Sequence, residues 1–369
     1  MKHRAMNYFA CVHTARGFYD LLDSNLEGVR ALFVLKDAPN AVITPMMQET
    51  GAFWEEEGYA TEYLHNPTDN AGIIGVIVPG LAAVVDFSFF HSNKRVRNFG
   101  NKTVIRLKKA FSFPSTPSQE SEALRISDKI ANELARVHEN LADALEIHDD
   151  WEAIYIQRLD HEAANRLTEE LIRGFYKARS ANKKPVVKHR FLGAATPKGA
   201  VDFIPDLTGG LSRRFLLKGR PGTGKSTMLG KLAQEGQKRG FDVEVYHCGF
   251  DPKSLDMVIV RELGTAVFDS TSPHEYFPGR DGDEVVDVYA AAVKGNTDEI
   301  YEDELRRIKK RYKEKIGEAR AHLAKAKALN DVLCGLYAGS ADSDTLRAAR
   351  AELRREMTAL VPKWPMSSK

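Results

Sequence analysis

Cysteine is scarce in this chain, neither sign of charge prevails, and no apolar run is both long and unbroken. The three cysteines, Cys11, Cys248 and Cys334, lie far apart with no CxxC pair. That excludes a disulfide framework and suits a reducing, cytoplasmic setting. Lys plus Arg number 53 against 51 Asp plus Glu, a net charge of +2, so no global pull toward nucleic acid or an anionic membrane follows. The basic runs "NKRVRNFGNK" (93–102) and "KKRYKEK" (309–315) have no aromatic residues at stacking spacing and read as solvated surface. The most apolar stretch, Ala71 to Phe90, is cut by Pro79-Gly80 and carries Asp86. Its halves read as two buried strands joined by a turn, not as a membrane span. Asn7, His13 and Arg16 interrupt the N-terminal stretch, so no secretory leader is expected there.

What is present is ample: 369 residues, 43% of them hydrophobic, enough for two domains. Sliding the sequence against itself by 182 positions brings its halves into register. Phe9 falls on Phe191, Gly17 on Gly199, "FVLK" (33–36) on "FLLK" (215–218), His65 on His247, Asp69 on Asp251, and Tyr155 on Tyr337. One inserted residue places Asp86 on Asp269 and His91 on His274. The expected organisation is a tandem duplication, residues 1–182 and 183–369, with a boundary near "ANKKPVVKHR" (181–190) and contact between the halves. Each copy reads as strand, loop, helix, strand and two more apolar runs, the pattern of an α/β fold with a parallel sheet and flanking helices. A charged helical tail follows in each, "SEALRISDKIANELARVHENLADAL" and "DEIYEDELRRIKKRYKEKIGEARAHLAKAKAL". Their apolar positions are expected to pack on the sheets or on each other.

The second copy carries "GRPGTGKST", Gly219 to Thr227, a complete G-x-x-x-x-G-K-[ST] between a strand and a helix. In such a loop, backbone N–H groups and the positive end of the helix hold phosphate. Gly219, Gly222 and Gly224 permit the bend, and Arg220, Pro221 and Thr223 complete the cradle. Lys225 is placed to reach the β- and γ-phosphates, Ser226 to ligate Mg²⁺, and Thr227 to support the neighbouring phosphate. The first copy has the outline without the parts: Gly219 becomes Asp37, Gly222 Asn40, Gly224 Val42 and Lys225 Ile43. A carboxylate and a β-branched residue oppose phosphate there, so the first copy reads as a pseudo-domain with a structural or regulatory role.

Asp269, at the end of "LGTAVFD", is the expected second Mg²⁺ ligand, although the counterpart Asp86 leaves a structural turn or cap role open. No Glu follows Asp269, so the base used by one large ATPase class is missing and the chain leans to the kinase-like or GTPase-like branch. Asp251 or Asp256 could orient a water or an acceptor hydroxyl. His247, Cys248 and His274 could form a zinc site, but retention of His247, Asp251 and His274 in both copies points first to architecture. Arg220, Arg261, Arg280, Arg95 and Arg97 are candidates for a cation completing the site.

Together "GRPGTGKST", "VEVYHCGFDPKSLDMVIV" and "AVFDSTSPH" resemble a bacterial family of tandem P-loop proteins described as ATPases or ATP-binding proteins. The resemblance covers both halves and implies a P-loop NTPase fold, ATP and Mg²⁺. It implies an intact loop in the first half too, and there, from Asp37 to Thr44, this chain departs from the pattern. The leading expectation is a cytoplasmic Mg²⁺-dependent ATPase. The rivals are a small-molecule kinase with an acceptor near Asp251 to Asp256, and a non-catalytic nucleotide sensor whose tails engage a protein partner.

Overall fold

Each sequence half builds six sheet strands, and the computed structural model, which describes residues 5–361, joins them into two sheets of the same order. The first half contributes β1 (Met6–Tyr8), β2 (Ala31–Lys36), β3 (Glu62–His65), β4 (Ile73–Val78), β5 (Ala82–Asp86) and β6 (Lys102–Arg106). The second contributes β7 (Val187–Phe191), β8 (Arg213–Lys218), β9 (Val243–His247), β10 (Leu255–Val260), β11 (Thr265–Asp269) and β12 (Asp283–Asp287). The orders are β1-β3-β4-β5-β2-β6 and β7-β9-β10-β11-β8-β12. The longer helices are α1 (Asn40–Glu56), α2 (Pro117–Ile156), α3 (His161–Tyr176), α4 (Lys225–Lys238), α5 (Glu302–Ala338) and α6 (Ser343–Ala359). Residues 1–4, part of the stretch weighed as a leader, lie outside the described residues.

The expectation of a parallel sheet needs correction. β4 and β10 run antiparallel to both neighbours, and only the remaining pairings are parallel. A parallel neighbour needs a crossover of a dozen or more residues, and Pro79-Gly80 allows none: Leu81 N–H closes the turn on the Val78 carbonyl at 3.0 Å. Gly80 supplies the left-handed φ of 76°. The two buried strands and turn read from 71–90 are therefore present, and they make the sheet mixed. Among the described residues no helix is long and apolar enough to cross a membrane.

The compact units do not follow the sequence halves. Unit 1 comprises the stretch ending at Ala10, Leu26–Glu133 and the stretch from Ala324; unit 2 comprises Cys11–Asn25 and Leu134–Leu323. Unit 1 buries Leu346, Leu353 and Met357 of α6 against Phe33, Val84, Met47 and Trp54 of the first sheet and α1. Unit 2 buries Leu171, Phe175 and Tyr176 of α3 against Phe215, Val245, Leu229 and Leu232 of the second sheet and α4. Each such side chain is worth roughly 1.5–3 kcal/mol on burial, so each sheet depends on a helix from the other half of the sequence.

The exchange is reciprocal in detail. In unit 2, Leu159 bridges Val293 and Asp160 N–H donates to the Ala292 carbonyl at 2.7 Å; in unit 1, Phe111 bridges Ala341 and Asp342 N–H donates to the Ala110 carbonyl at 2.7 Å. These are the same contacts carried through the sequence repeat with donor and recipient halves exchanged. Asp160 and Asp342 also cap their helices, accepting from Ala163 N and from Asp344 N and Thr345 N. The tails meet each other as well: Ile147, Ile154 and Tyr155 of α2 pack on Leu305 and Ile308 of α5 in unit 2.

Candidate functional site

In unit 2, β8 ends at Lys218 and α4 begins at Lys225, leaving six residues of open loop between them. Gly222 and Gly224 hold φ of 76° and 85°, conformations that side chains disfavour. Gly219 is required for closeness instead: a Cβ there would lie 2.7 Å from Thr223 Oγ1. Thr223 Oγ1 and Lys225 Nζ both donate to the Arg220 carbonyl, at 2.8 and 2.9 Å. Lys225 Nζ also stands 3.5 Å from Asp269 Oδ2, with the lysine only 7% exposed. Thr227, in the first turn of α4, is exposed. Ser226 Oγ accepts from Leu255 N–H at 2.9 Å, which ties the loop to the start of β10.

Asp269 sits on β11, the parallel neighbour of β8, with Leu217 as its register partner. Its Oδ1 accepts from Thr271 Oγ1 at 2.7 Å, while Oδ2 faces Lys225. The antiparallel β10 brings in a further carboxylate. Met257 pairs with Phe268, so Asp256, the second residue of the strand, comes beside Asp269. Burial, and then the Asp269 charge, push the Asp256 carboxyl up to about 6. Burial likewise pushes the neighbouring Cys248 thiol well above its ordinary value. In the sister copy the counterpart of Asp256 is Ile74, whereas the counterpart of Asp269 is the retained Asp86.

Asp251 is not at the loop lysine but in a bidentate pair with Arg16, Nε to Oδ1 at 2.7 Å and Nη2 to Oδ2 at 3.0 Å. Burial raises its carboxyl, and the Arg16 hydrogen bonds outweigh that to hold it below the usual range. The zinc candidates do not converge. His247 Nδ1 faces the Pro252 carbonyl at 2.7 Å and its Nε2 faces His189 at 2.9 Å, while His274 pairs with Asp202 at 2.8 Å. Both arrangements are strand-end architecture.

The candidate arginines are occupied elsewhere. Arg220 reaches back to Asp298 at 2.8 and 3.1 Å, a carboxylate that also accepts from Tyr155 OH at 2.6 Å. Arg261 binds Glu244, and Arg280 binds the Thr208 carbonyl. Arg95 and Arg97 belong to unit 1. Arg16 was missed, at the tip of the hairpin Cys11–Thr14 and Gly17–Asp20; the one signal for it was the repeat, which sets it on the equally basic Lys198. Also missed were His148 and Glu152 of α2. A Cβ on Gly222 would meet the Glu152 carbonyl at 2.5 Å, so the helix lies directly on the loop. His148, Asp149 and Glu152 bring one possible metal-ligand atom each to within 4.8 Å of one another.

The sister loop in unit 1 has a different backbone. α1 starts at Asn40, the counterpart of Gly222, one turn earlier than α4. Val42 and Ile43 N–H, which an open loop would aim at an anion, donate instead to the Pro39 carbonyl at 2.9 and 3.1 Å. Ile43, in the place of Lys225, is 1% exposed in the core. Asp37 holds a φ of 64° and faces Arg106 at 3.4 Å.

No family model, no curated protein and no solved structure matches this chain.

Proposed function

We propose that unit 2 is a P-loop nucleotide-binding domain that binds ATP with Mg²⁺ and hydrolyses it, and that the loop of unit 1 binds no nucleotide. One contrast carries this reading: between Gly219 and Lys225 the second copy keeps an open glycine loop around a lysine ammonium, while the first has wound the counterparts of Gly222 to Lys225 into helix over a buried isoleucine. Backbone N–H groups of residues 222–225 would hold the β-phosphate at the positive end of α4. Lys225 Nζ is already held on the loop by the Arg220 carbonyl, and it would move onto the β- and γ-oxygens as a point charge. The oxygen set of Ser226, Asp269 and Asp256 suits Mg²⁺, which would supply charge neutralisation to the transferring phosphoryl group. Adjacency of β8 and β11 agrees with the kinase-like or GTPase-like branch.

Titration of the full chain with ATP in the presence of Mg²⁺, followed by phosphate release, tests the reading. Lys225→Ala is expected to weaken binding at least tenfold and abolish turnover, whereas Ile43→Ala leaves affinity within threefold. Equal losses from the two substitutions, or no binding by the wild type, would overturn it. Turnover that depends on an added metabolite would mark a kinase; tight binding without turnover would mark a sensor.

A further inference from the structure

Position 152 and its repeat counterpart 334 each lie near the loop of their own unit. In unit 2 the Glu152 main chain lies against Gly222. In unit 1 the backbone N–H groups of Asn40 and Ala41, the counterparts of Gly222 and Thr223, act to lower the Cys334 thiol against the burial that raises it. Helix α2 thus brings position 152 onto the loop. The residue four earlier supports it in both units: Asn330 Nδ2 donates to Cys334 Sγ at 3.6 Å, and His148 Nδ1 stands 3.8 Å from Glu152 Oε1. Where the loop is degenerate the pair is Asn and Cys; where it is intact the pair is His and Glu.

Three other carboxylates near the loop are engaged. Asp251 is clamped by Arg16, Asp298 by Arg220 and Tyr155, and Asp269 by Lys225 and Thr271. Asp256 lies beside Asp269. The Glu152 side chain keeps 36% of its surface open, and its neighbour His148 feels the charges of both Lys225 and Asp251. The pair therefore stands close to the loop, with the Glu152 carboxylate partly open to solvent.

We propose that Glu152, carried on a helix from the first half of the sequence, is the general base for ATP hydrolysis in unit 2. This rests on the nucleotide-binding reading above. The water oxygen forms its bond to the γ-phosphorus as the bond to the β–γ bridging oxygen breaks. The bridging oxygen leaves with the electron pair on ADP, and the water proton passes to the Glu152 carboxylate and on to solvent. A base in this position fills the role left by the missing Glu after Asp269, and it makes the catalytic site of one sequence half depend on the other.

Glu152→Gln in the full chain is expected to lower phosphate release by about 10²–10⁴-fold, with the Kd for ATP and Mg²⁺, read from a fluorescent analogue, within threefold of wild type. Glu152→Asp should recover part of the rate. Should Glu152→Gln fail to fold, Glu152→Cys, the sister residue, carries the same test. Turnover within threefold of wild type in either variant would overturn the assignment and leave nucleotide binding intact. Parallel loss of binding and turnover would show a structural role and equally overturn it. Absence of ATP binding by the wild type would sink the loop reading itself.

Discussion

A single carboxylate shows how far the two copies have diverged. Asp86 and Asp269 occupy the same repeat position, and each accepts from the hydroxyl two residues on. Asp269 turns its second oxygen to Lys225; Asp86 Oδ2 is buried and has no partner. Burial accordingly pushes the Asp86 carboxyl up to about 6, against hydrogen bonds from Ser88 that lower it. The sign follows from the raised value. Below about pH 4 both folded and unfolded chains keep this proton, and Asp86 costs nothing. Between about pH 4 and 6 the unfolded chain ionises first, and above pH 6 the full penalty applies, on the order of 3 kcal/mol at most. Asp86→Asn, which keeps the cap oxygen for Ser88, should therefore gain stability over wild type at pH 8 and little at pH 4. Urea melts at the two pH values measure this, and a gain independent of pH would contradict the account.

At the scale of elements, the loop and α2 form one packed object, and glycine is what lets them touch. Gly222→Ala would force a left-handed φ on alanine, about 1–2 kcal/mol, and drive its Cβ to within 2.5 Å of the Glu152 carbonyl. Gly230, on the open side of α4, has nothing within 4 Å of an added Cβ. Gly230→Ala should therefore stabilise the protein by roughly 0.5–1 kcal/mol, while Gly222→Ala destabilises it and weakens ATP binding. Denaturant midpoints of the two variants decide this; the same sign for both would refute the packing argument. The loop itself was legible because glycines and a lysine at fixed spacing state a backbone conformation directly. The hairpin of β4 and β5 was legible from Pro79-Gly80. The antiparallel sense of β10 was not, because a buried strand reads as the same apolar run in either direction. With it, the placement of Asp256 beside Asp269 also stayed hidden.

At the scale of the molecule, the repeat was visible and its exchange of parts was not. Residues 183–369 contain the whole intact loop, yet they lack Cys11–Asn25 and the segment from Leu134 that complete unit 2. Without α3, the apolar side chains of Leu229, Leu232 and Phe215 would lose the cover of Leu171, Phe175 and Tyr176. A fragment 183–369 is therefore expected to be aggregation-prone or to unfold without a cooperative transition. Supplying residues 1–182 in trans, which restores both missing segments, should recover a cooperative melt, seen by circular dichroism. A cooperatively folded, ATP-binding 183–369 would refute the interleaving. Matching contacts at Leu159 with Val293 and at Phe111 with Ala341 could not be foreseen from either half alone. Both readings of the tails, packed within their own half or within the other, satisfy the same amphipathic pattern.

The sequence alone determined that the chain repeats itself, that each repeat alternates strands and helices, and that glycines and a lysine survive at the second loop only. Those are properties of residue type and spacing, which need no partner to be read. Tertiary structure alone decided which helix covers which sheet, that the first loop has closed into a helical turn, and that Glu152 and Arg16 stand beside residues about 70 and 235 positions away. Contacts between distant segments depend on shape complementarity between apolar faces that are individually interchangeable, so no local pattern in the chain records them.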